Sequence, residues 1–263
     1  MDFLKTIPFS TGCQIIATHP CGLIAINKKA GRASHPNKNP SKNDKPSMIR
    51  AKYNFRDEYY SWIDDNQQKQ HLYLVNRLDS PTSGVILAAT TPEIAELAKE
   101  QFRNKLVDKK YMAIVVGKVF PNTELWKNKL STQNSGKFVR SNTSKDSSGK
   151  IAITRYKVEC FDENNAKLSL IRLEPQTGLT HQLRVQCALH RYPILGDATY
   201  GNFAVNKKMK SISKINRLFL HCLSTSLKFD VDGKTIEFFA EAPLPESFNK
   251  IIRYNNQIKK HFF

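Results

Sequence analysis

Arg77-Leu78-Asp79-Ser80-Pro81-Thr82-Ser83-Gly84 lies between two short apolar runs, Leu72-Tyr73-Leu74-Val75 and Val85-Ile86-Leu87-Ala88-Ala89. Both runs have the length and content of buried strands, and the Pro, Ser, Thr and Gly between them mark a turn. Asp79 is therefore expected on a tight loop between two buried strands, a rigid place from which to present a side chain.

Downstream, Thr91-Pro92-Glu93 reads as a helix start: a capping hydroxyl, proline in the first turn and an acid favoured by the helix dipole. Ile94, Leu97, Ala98 and Phe102 then recur at helical spacing, and the helix should end near Lys105. Tyr111 to Val116 reads as a strand preceded by Lys109-Lys110. Further strands are expected at Ala152 to Cys160, Leu168 to Leu173 and Leu218 to Leu223. A helix should span His181 to His190 after Gly178, and a hairpin should turn through Asp230-Val231-Asp232-Gly233.

Upstream, Gly22 to Asn27 reads as a buried strand running into the basic turn Lys28-Lys29-Ala30-Gly31. Residues 32 to 70 are rich in Asn, Lys, Pro, Asp and Gln, with an amphipathic patch from Met48 to Trp62. They read as surface loops around one helix. Residues 130 to 150 are polar and poor in apolar side chains, and read as a mobile loop. Strand runs with two or three interspersed helices give an α+β fold rather than a doubly wound one.

The 263 residues allow one large domain or two small ones, with 40% hydrophobic residues to build a core. No apolar run approaches the ~18 to 20 residues that cross a bilayer. The N-terminus lacks a signal-peptide pattern, so a cytoplasmic protein without membrane association is expected. Five scattered cysteines without C-x-x-C spacing argue against a disulfide framework or a zinc site, and the seven dispersed histidines add no metal motif. Lys plus Arg is 41 against 23 for Asp plus Glu, a net charge of +18 and a sequence pI near 9.7. That excess favours a polyanionic partner.

The loop at 77 to 84 resembles the signature loop of the RluA-type pseudouridine synthases. Four further stretches match that family in order: Lys110-Tyr111; Ala152, Thr154 and Tyr156; Thr177-Gly178 with Thr180-His181-Gln182-Leu183-Arg184-Val185; and Pro193-Ile194-Leu195-Gly196-Asp197 with Tyr200-Gly201. The resemblance spans about residues 22 to 243. It implies a mixed, mainly antiparallel central sheet with flanking helices, two subdomains and an RNA-binding cleft. It also implies isomerisation of uridine to pseudouridine in structured RNA, ribosomal or transfer, by a monomer without cofactor or metal. Residues 1 to 20 are then an N-terminal segment, 21 to 250 the catalytic domain and 251 to 263 a basic tail. No room is expected for a separate S4-type RNA-binding domain, so affinity should come from lysines such as Lys109, Lys110 and those of the 130 to 150 segment.

By the same resemblance Asp79 is the catalytic carboxylate, Arg184 the arginine that pairs with it, and Tyr111 the tyrosine that lies against the target base. A carboxylate can attack an electrophilic carbon or take a proton and so drive formation of a glycal; the resemblance leaves both routes open. Arg77 fills the space vacated by the extruded base. Thr82, Ser83, Gly84, Lys110, Thr180 and His181 complete the substrate-binding set, Thr180 and His181 by capping and shaping the helix before Arg184. The chain departs from the family pattern at Lys29, Asn76, Leu179 and Gln186, where Pro, His, Arg and His are usual.

Without the resemblance, an Asp in such a turn is ordinarily an Asx-turn former, and a Tyr at a strand start is ordinarily core. Two rival functions follow. One is a catalytically silent RNA-binding protein or RNA chaperone. The other is a small-glycoside hydrolase, which normally needs a second acid that the Asp79 loop lacks.

Overall fold

The computed structural model describes residues 2–39, 41–42, 44–135, 138–143, 149–162 and 167–252, with backbone alone at 2, 132–135 and 138–143. Most of the 251 to 263 tail lies outside them. The chain divides into two compact units, Met1–Lys109 with Cys222–Pro243, and Lys110–His221 with Leu244–Phe263.

In chain order, a 3-10 turn at Asp2–Thr6 precedes β1 (Gln14–Thr18), β2 (Leu23–Lys28), β3 (Lys52–Asn54), β4 (Tyr59–Ile63), β5 (Lys69–Leu74) and β6 (Ser83–Ala89). Helix α1 (Pro92–Arg103) follows. Then come β7 (Asp108–Val116), β8 (Thr123–Ser135), β9 (Phe138–Thr143), β10 (Lys150–Asp162) and β11 (Leu168–Pro175). Helices α2 (Gln182–Leu189) and α3 (Phe203–Ser213), strands β12 (Leu220–Val231) and β13 (Lys234–Glu241), and α4 (Glu246–Ile251) complete the chain. The architecture is α+β, with sheet dominant.

In the first unit β6 is the central strand. All seven of its residues are buried, and it pairs antiparallel with β2 from Leu23/Ala89 to Lys28/Gly84. A strand covered on both faces reads as a continuous apolar run, which is why Val85 to Ala89 lacks alternation. The sheet continues through β5, β4 and β3, while β12 lies beside β6 and β13 pairs with β12. Thr91 caps α1, its Oγ1 accepting from the Ile94 N–H, and Ile94, Ala95 and Ala98 are buried. The β12–β13 hairpin turns at Asp232-Gly233, both with positive φ (49° and 74°), as a tight type I′ turn requires.

The second unit orders its strands β7-β11-β10-β8-β9, each pair antiparallel. Leu183 and Cys187 of α2 pack on Trp126, Tyr156, Ile171 and Leu173. Burial pushes the Cys187 thiol well above its ordinary range, so it serves as a small apolar core group.

Two expectations are corrected, and one element is new. Residues 32 to 70 hold the antiparallel strands β3 and β4 and the first two residues of β5, and no helix forms among the described residues there. Tyr60 and Trp62 point into the core while Ser61 and Ile63 point out, a period of two that the helical reading of the Met48 to Trp62 patch overlooked. Among its described residues the 130 to 150 segment is largely strand: β8 runs to Ser135, β9 pairs with it, and β10 begins at Lys150. A backbone ladder needs little apolar content, so polarity alone did not exclude it. Helix α3 was not expected. Asn202 caps it by accepting from the Val205 N–H, and Met209 is its buried residue, too little apolar periodicity to read in advance.

Candidate active site

The residues on both sides of Asp79 are pinned by hydrogen bonds within the first unit. Asn76 Oδ1 accepts from the Leu87 N–H of β6 at 2.7 Å. The buried Ser34 hydroxyl donates to the Leu78 carbonyl at 2.8 Å and accepts from the Leu78 N–H at 3.0 Å. Tyr60 in turn donates to the Ser34 carbonyl at 2.8 Å. On the other side, the Ser80 carbonyl accepts from the Gly31 N–H at 2.8 Å and from Lys28 Nζ at 3.1 Å. The turn closes with the Thr82 N–H donating to the Asp79 carbonyl at 2.9 Å. Asp79 itself is half-buried.

Lys28 is fully buried, and its ammonium also donates to the Arg32 carbonyl at 2.7 Å and the Lys29 carbonyl at 3.4 Å. A buried ammonium is tolerated when its protons are taken up in this way. Thr82 and Ser83 are buried, and Gly84 has φ +111°, with the place of a Cβ only 2.0 Å from the Cys222 carbonyl oxygen. In this structure these three residues build the exit of the loop into β6.

Arg77 is exposed, and its Nη1–H donates to His35 Nε2 at 3.0 Å. That geometry needs a lone pair on Nε2 and the ring proton on Nδ1, which lies 2.8 Å from the Pro36 carbonyl oxygen. The imidazole stacks on Tyr53 (centroids 5.1 Å apart, planes at 12°) and meets Phe55 edge to face. Burial, then the nearby Glu58 carboxylate, push the Tyr53 phenol up to about 12, with Arg77 pulling the other way.

In the second unit, Tyr111 is half-buried as the fourth residue of β7 and packs on the core cluster that includes Leu183 and Cys187 of α2. Arg184 is the third residue of α2, 5% exposed, and forms a two-pronged ion pair with the fully buried Asp197: Nε–H to Oδ2 at 2.8 Å and Nη2–H to Oδ1 at 2.9 Å. Asp197 Oδ1 also accepts from the Thr199 and Tyr200 N–H groups. Burial pushes the Asp197 carboxyl up, but the Arg184 guanidinium and those two N–H groups more than offset it. The carboxyl stays below its ordinary range.

The Arg184 guanidinium also lies over the Tyr200 ring, 5.2 Å from its centroid, and the Tyr200 hydroxyl is 3.0 Å from His181 Nδ1. His181 stands at the N-cap of α2 with φ 55° and makes no side-chain capping bond; Thr180 is exposed. The side chain that organises the helix entry is Gln182, whose Oε1 accepts from the Leu179 N–H and the Thr177 hydroxyl. Lys110 is exposed beside Tyr111.

Asp79, Arg77 and Thr82 thus share one loop of the first unit, which Ser83 and Gly84 lead into β6. Arg184, His181 and Thr180 share the entry to α2 in the second, where Tyr111 borders the same core. Sequence reasoning gave no role to Asp197, Lys28, Ser34 or His35. An arginine early in a helix runs against the helix dipole and so calls for an acidic partner, which was the available signal for Asp197. Among the described residues, no three His, Cys, Asp or Glu side chains are grouped to hold a metal ion. None of the described helices is long and apolar enough to cross a membrane.

These features coincide with a family match: residues 22–189 fit the RNA pseudouridylate synthase family. The chain belongs to that family. It is 31% identical over 231 residues to tRNA pseudouridine synthase C of Pectobacterium carotovorum, covering 85% of this chain and 57% of that protein, little more than half its length. It is 34% identical over 229 residues to the ribosomal large subunit pseudouridine synthase C of Rickettsia bellii, covering 87% of this chain and 68% of that one. The solved structure of human RNA pseudouridylate synthase domain containing 1 shares the fold, with a TM-score of 0.64 at 19% identity over 95% of this chain and 94% of that one.

Proposed function

We propose that this chain isomerises uridine to pseudouridine in structured RNA of the transfer or ribosomal class, with Asp79 as its catalytic carboxylate. The observation that carries this reading is the Asp79 loop, clamped at Leu78, Ser80 and Thr82 within a family-matched segment. A side chain presented from a backbone fixed on both sides loses little freedom on binding its target, which suits positional catalysis. The reaction breaks the bond from ribose C1′ to uracil N1 and forms the bond from C1′ to C5. The C5 proton is lost and N1 gains one, so substrate and product are isomers. Asp79 supplies the carboxylate for attack at C1′ or for proton removal. Tyr111 lies against the base and serves in proton transfer, and Arg184 holds the carboxylate charged and oriented. Arg77 enters the space left by the extruded uridine, and exposed lysines such as Lys110 meet phosphates.

The test is site-resolved pseudouridine mapping of total RNA from cells carrying the wild-type gene or Asp79→Asn, paired with RNA binding by the two purified proteins. One or more uridines should be modified with the wild type alone, while both proteins bind RNA with similar affinity. Identical maps with RNA binding retained would identify a silent RNA-binding protein instead.

A further inference from the structure

The β8–β10 ladder of the second unit has two unlike faces. Trp126, Asn128, Ala152, Thr154 and Tyr156 point toward α2: Trp126 and Tyr156 pack with Leu183 and Cys187, and Gln186 bonds both Asn128 and Thr154. Tyr111 shares that side, because it stands opposite Leu173, which stands opposite Tyr156. Strand alternation then sends Leu125, Lys127 and Lys129 of β8, and Ile151, Ile153, Arg155 and Lys157 of β10, to the other face. All are exposed except Ile153, which is half-buried; Ile151 is 62% exposed.

The register sets each cation opposite an uncharged residue. Lys129 stands opposite Ile151, Lys127 opposite Ile153, Leu125 opposite Arg155 and Thr123 opposite Lys157. Cations two residues apart on one strand repeat every 6.6–6.8 Å or so, a spacing comparable to that of phosphates along one RNA strand. The chain spends no acid on these positions. Glu124 is turned to the α2 side, where it accepts from the Trp126 indole N–H. Glu174, opposite Arg155 on β11, and Glu159 both pair with Arg172. Among the described residues none of the four cations has a carboxylate within ion-pair distance.

Exposed isoleucine and leucine between such cations are poorly explained by solubility, which charge alone would provide. They fit a ligand that alternates charged and less polar surface, as phosphates alternate with ribose. We infer that this face is a second RNA-binding surface, on the opposite side of the second unit's sheet from Tyr111 and Arg184. Lys127, Lys129, Arg155 and Lys157 meet phosphates of the folded RNA outside the target nucleotide, and Leu125, Ile151 and Ile153 lie against sugars. The inference rests on reading the chain as an RNA-modifying enzyme and adds where the body of a large substrate is held.

The experiment compares the wild type with a quadruple variant, Lys127→Gln, Lys129→Gln, Arg155→Gln and Lys157→Gln. Binding of a fluorescent tRNA transcript and of a 12-nucleotide uridine-containing strand is followed by anisotropy from 50 to 200 mM salt. The quadruple variant should bind the transcript at least ten-fold more weakly at the low end of that range. Its slope of log affinity against log salt should be shallower by about 0.7–0.9 for each phosphate that is no longer neutralised. Binding of the short strand should change less than two-fold. A companion variant with Lys127→Arg and Lys129→Arg should keep wild-type affinity, and matching circular dichroism spectra should show that all three proteins are folded.

Unchanged affinity and slope for the quadruple variant would overturn the inference. So would loss of binding to phosphatidylserine-containing vesicles with tRNA binding intact, which would make the face a membrane surface. Binding is read without catalysis, so the two proposals fail separately. An inactive wild type whose tRNA binding depends on this face would sink only the catalytic reading.

Discussion

Arg184 and Asp197 bind each other through two parallel hydrogen bonds of 2.8 and 2.9 Å, and both side chains are shut away from solvent. The fork fixes the plane of the guanidinium, and the ring of Tyr200 lies beneath it. Asp197 is thus a positioning residue for Arg184. Asp197→Ala takes the two-pronged carboxylate partner from a buried cation and should cost about 3–5 kcal/mol of stability, measured by urea unfolding at pH 7. The folded carboxyl titrates below its ordinary value near 3.8, so the pair's contribution is fully present above that value. It disappears as pH falls through the lower folded value. The stability gap between the wild type and Asp197→Asn should therefore be constant from pH 7 to 5 and narrow below pH 4. A gap independent of pH down to 2.5 would show that the pair contributes nothing through its charge.

Lys28 ties two stretches of chain together, since one ammonium bonds the carbonyls of Lys29, Arg32 and Ser80. Lys28→Met keeps an unbranched side chain one atom shorter and strips the donors. Buried carbonyls left without a partner cost about 1–3 kcal/mol, and the loop that carries Asp79 loses an anchor one residue away. Single-turnover rates on a modified-site RNA should fall by ten-fold or more while KM changes little. A variant that is folded and turns over at the wild-type rate would show that Asp79 is held by the remaining bonds alone.

The strands around Asp79 were legible because their signals are local: an unbroken apolar run at 85 to 89, and a Thr-Pro-Glu helix start just beyond it. The strands at 52 to 63 were not, and of β5 only the part from Leu72 onward was. Tyr60 and Trp62 alternate over only five residues, and β5 meets β6 through two residue pairs, Tyr73 with Ala89 and Leu74 with Ala88. Lys28 looked like part of a basic turn, because nothing near it in sequence announces that the Ser80 carbonyl will reach its ammonium. The Arg184–Asp197 pair spans thirteen positions and depends on a tertiary fit at Gly196. That glycine has φ +76°, and the place of a Cβ lies 1.8 Å from the Arg217 carbonyl oxygen. In each case the residue types were readable and the partners were set by packing.

His35 holds Arg77 in a way that separates binding from extrusion. The imidazole is fixed by Tyr53 on one face and by the Pro36 carbonyl at Nδ1, and it offers Nε2 to the guanidinium. An exposed arginine otherwise spends entropy to adopt one rotamer, up to about 2 kcal/mol. Removing Arg77 should matter most where the target uridine must leave a stack. Arg77→Ala is therefore expected to lower kcat/KM more on a structured RNA than on a short flexible strand bearing the same target. His35→Ala should lower activity in the same direction by a smaller factor, and His35→Gln, which keeps an acceptor, should recover part of it. In the double variant His35→Ala with Arg77→Ala, the loss should match that of Arg77→Ala alone, because the histidine acts only through the arginine. Fully additive losses would mean that His35 meets the RNA itself, and equal losses on both substrates would remove extrusion as the role of Arg77.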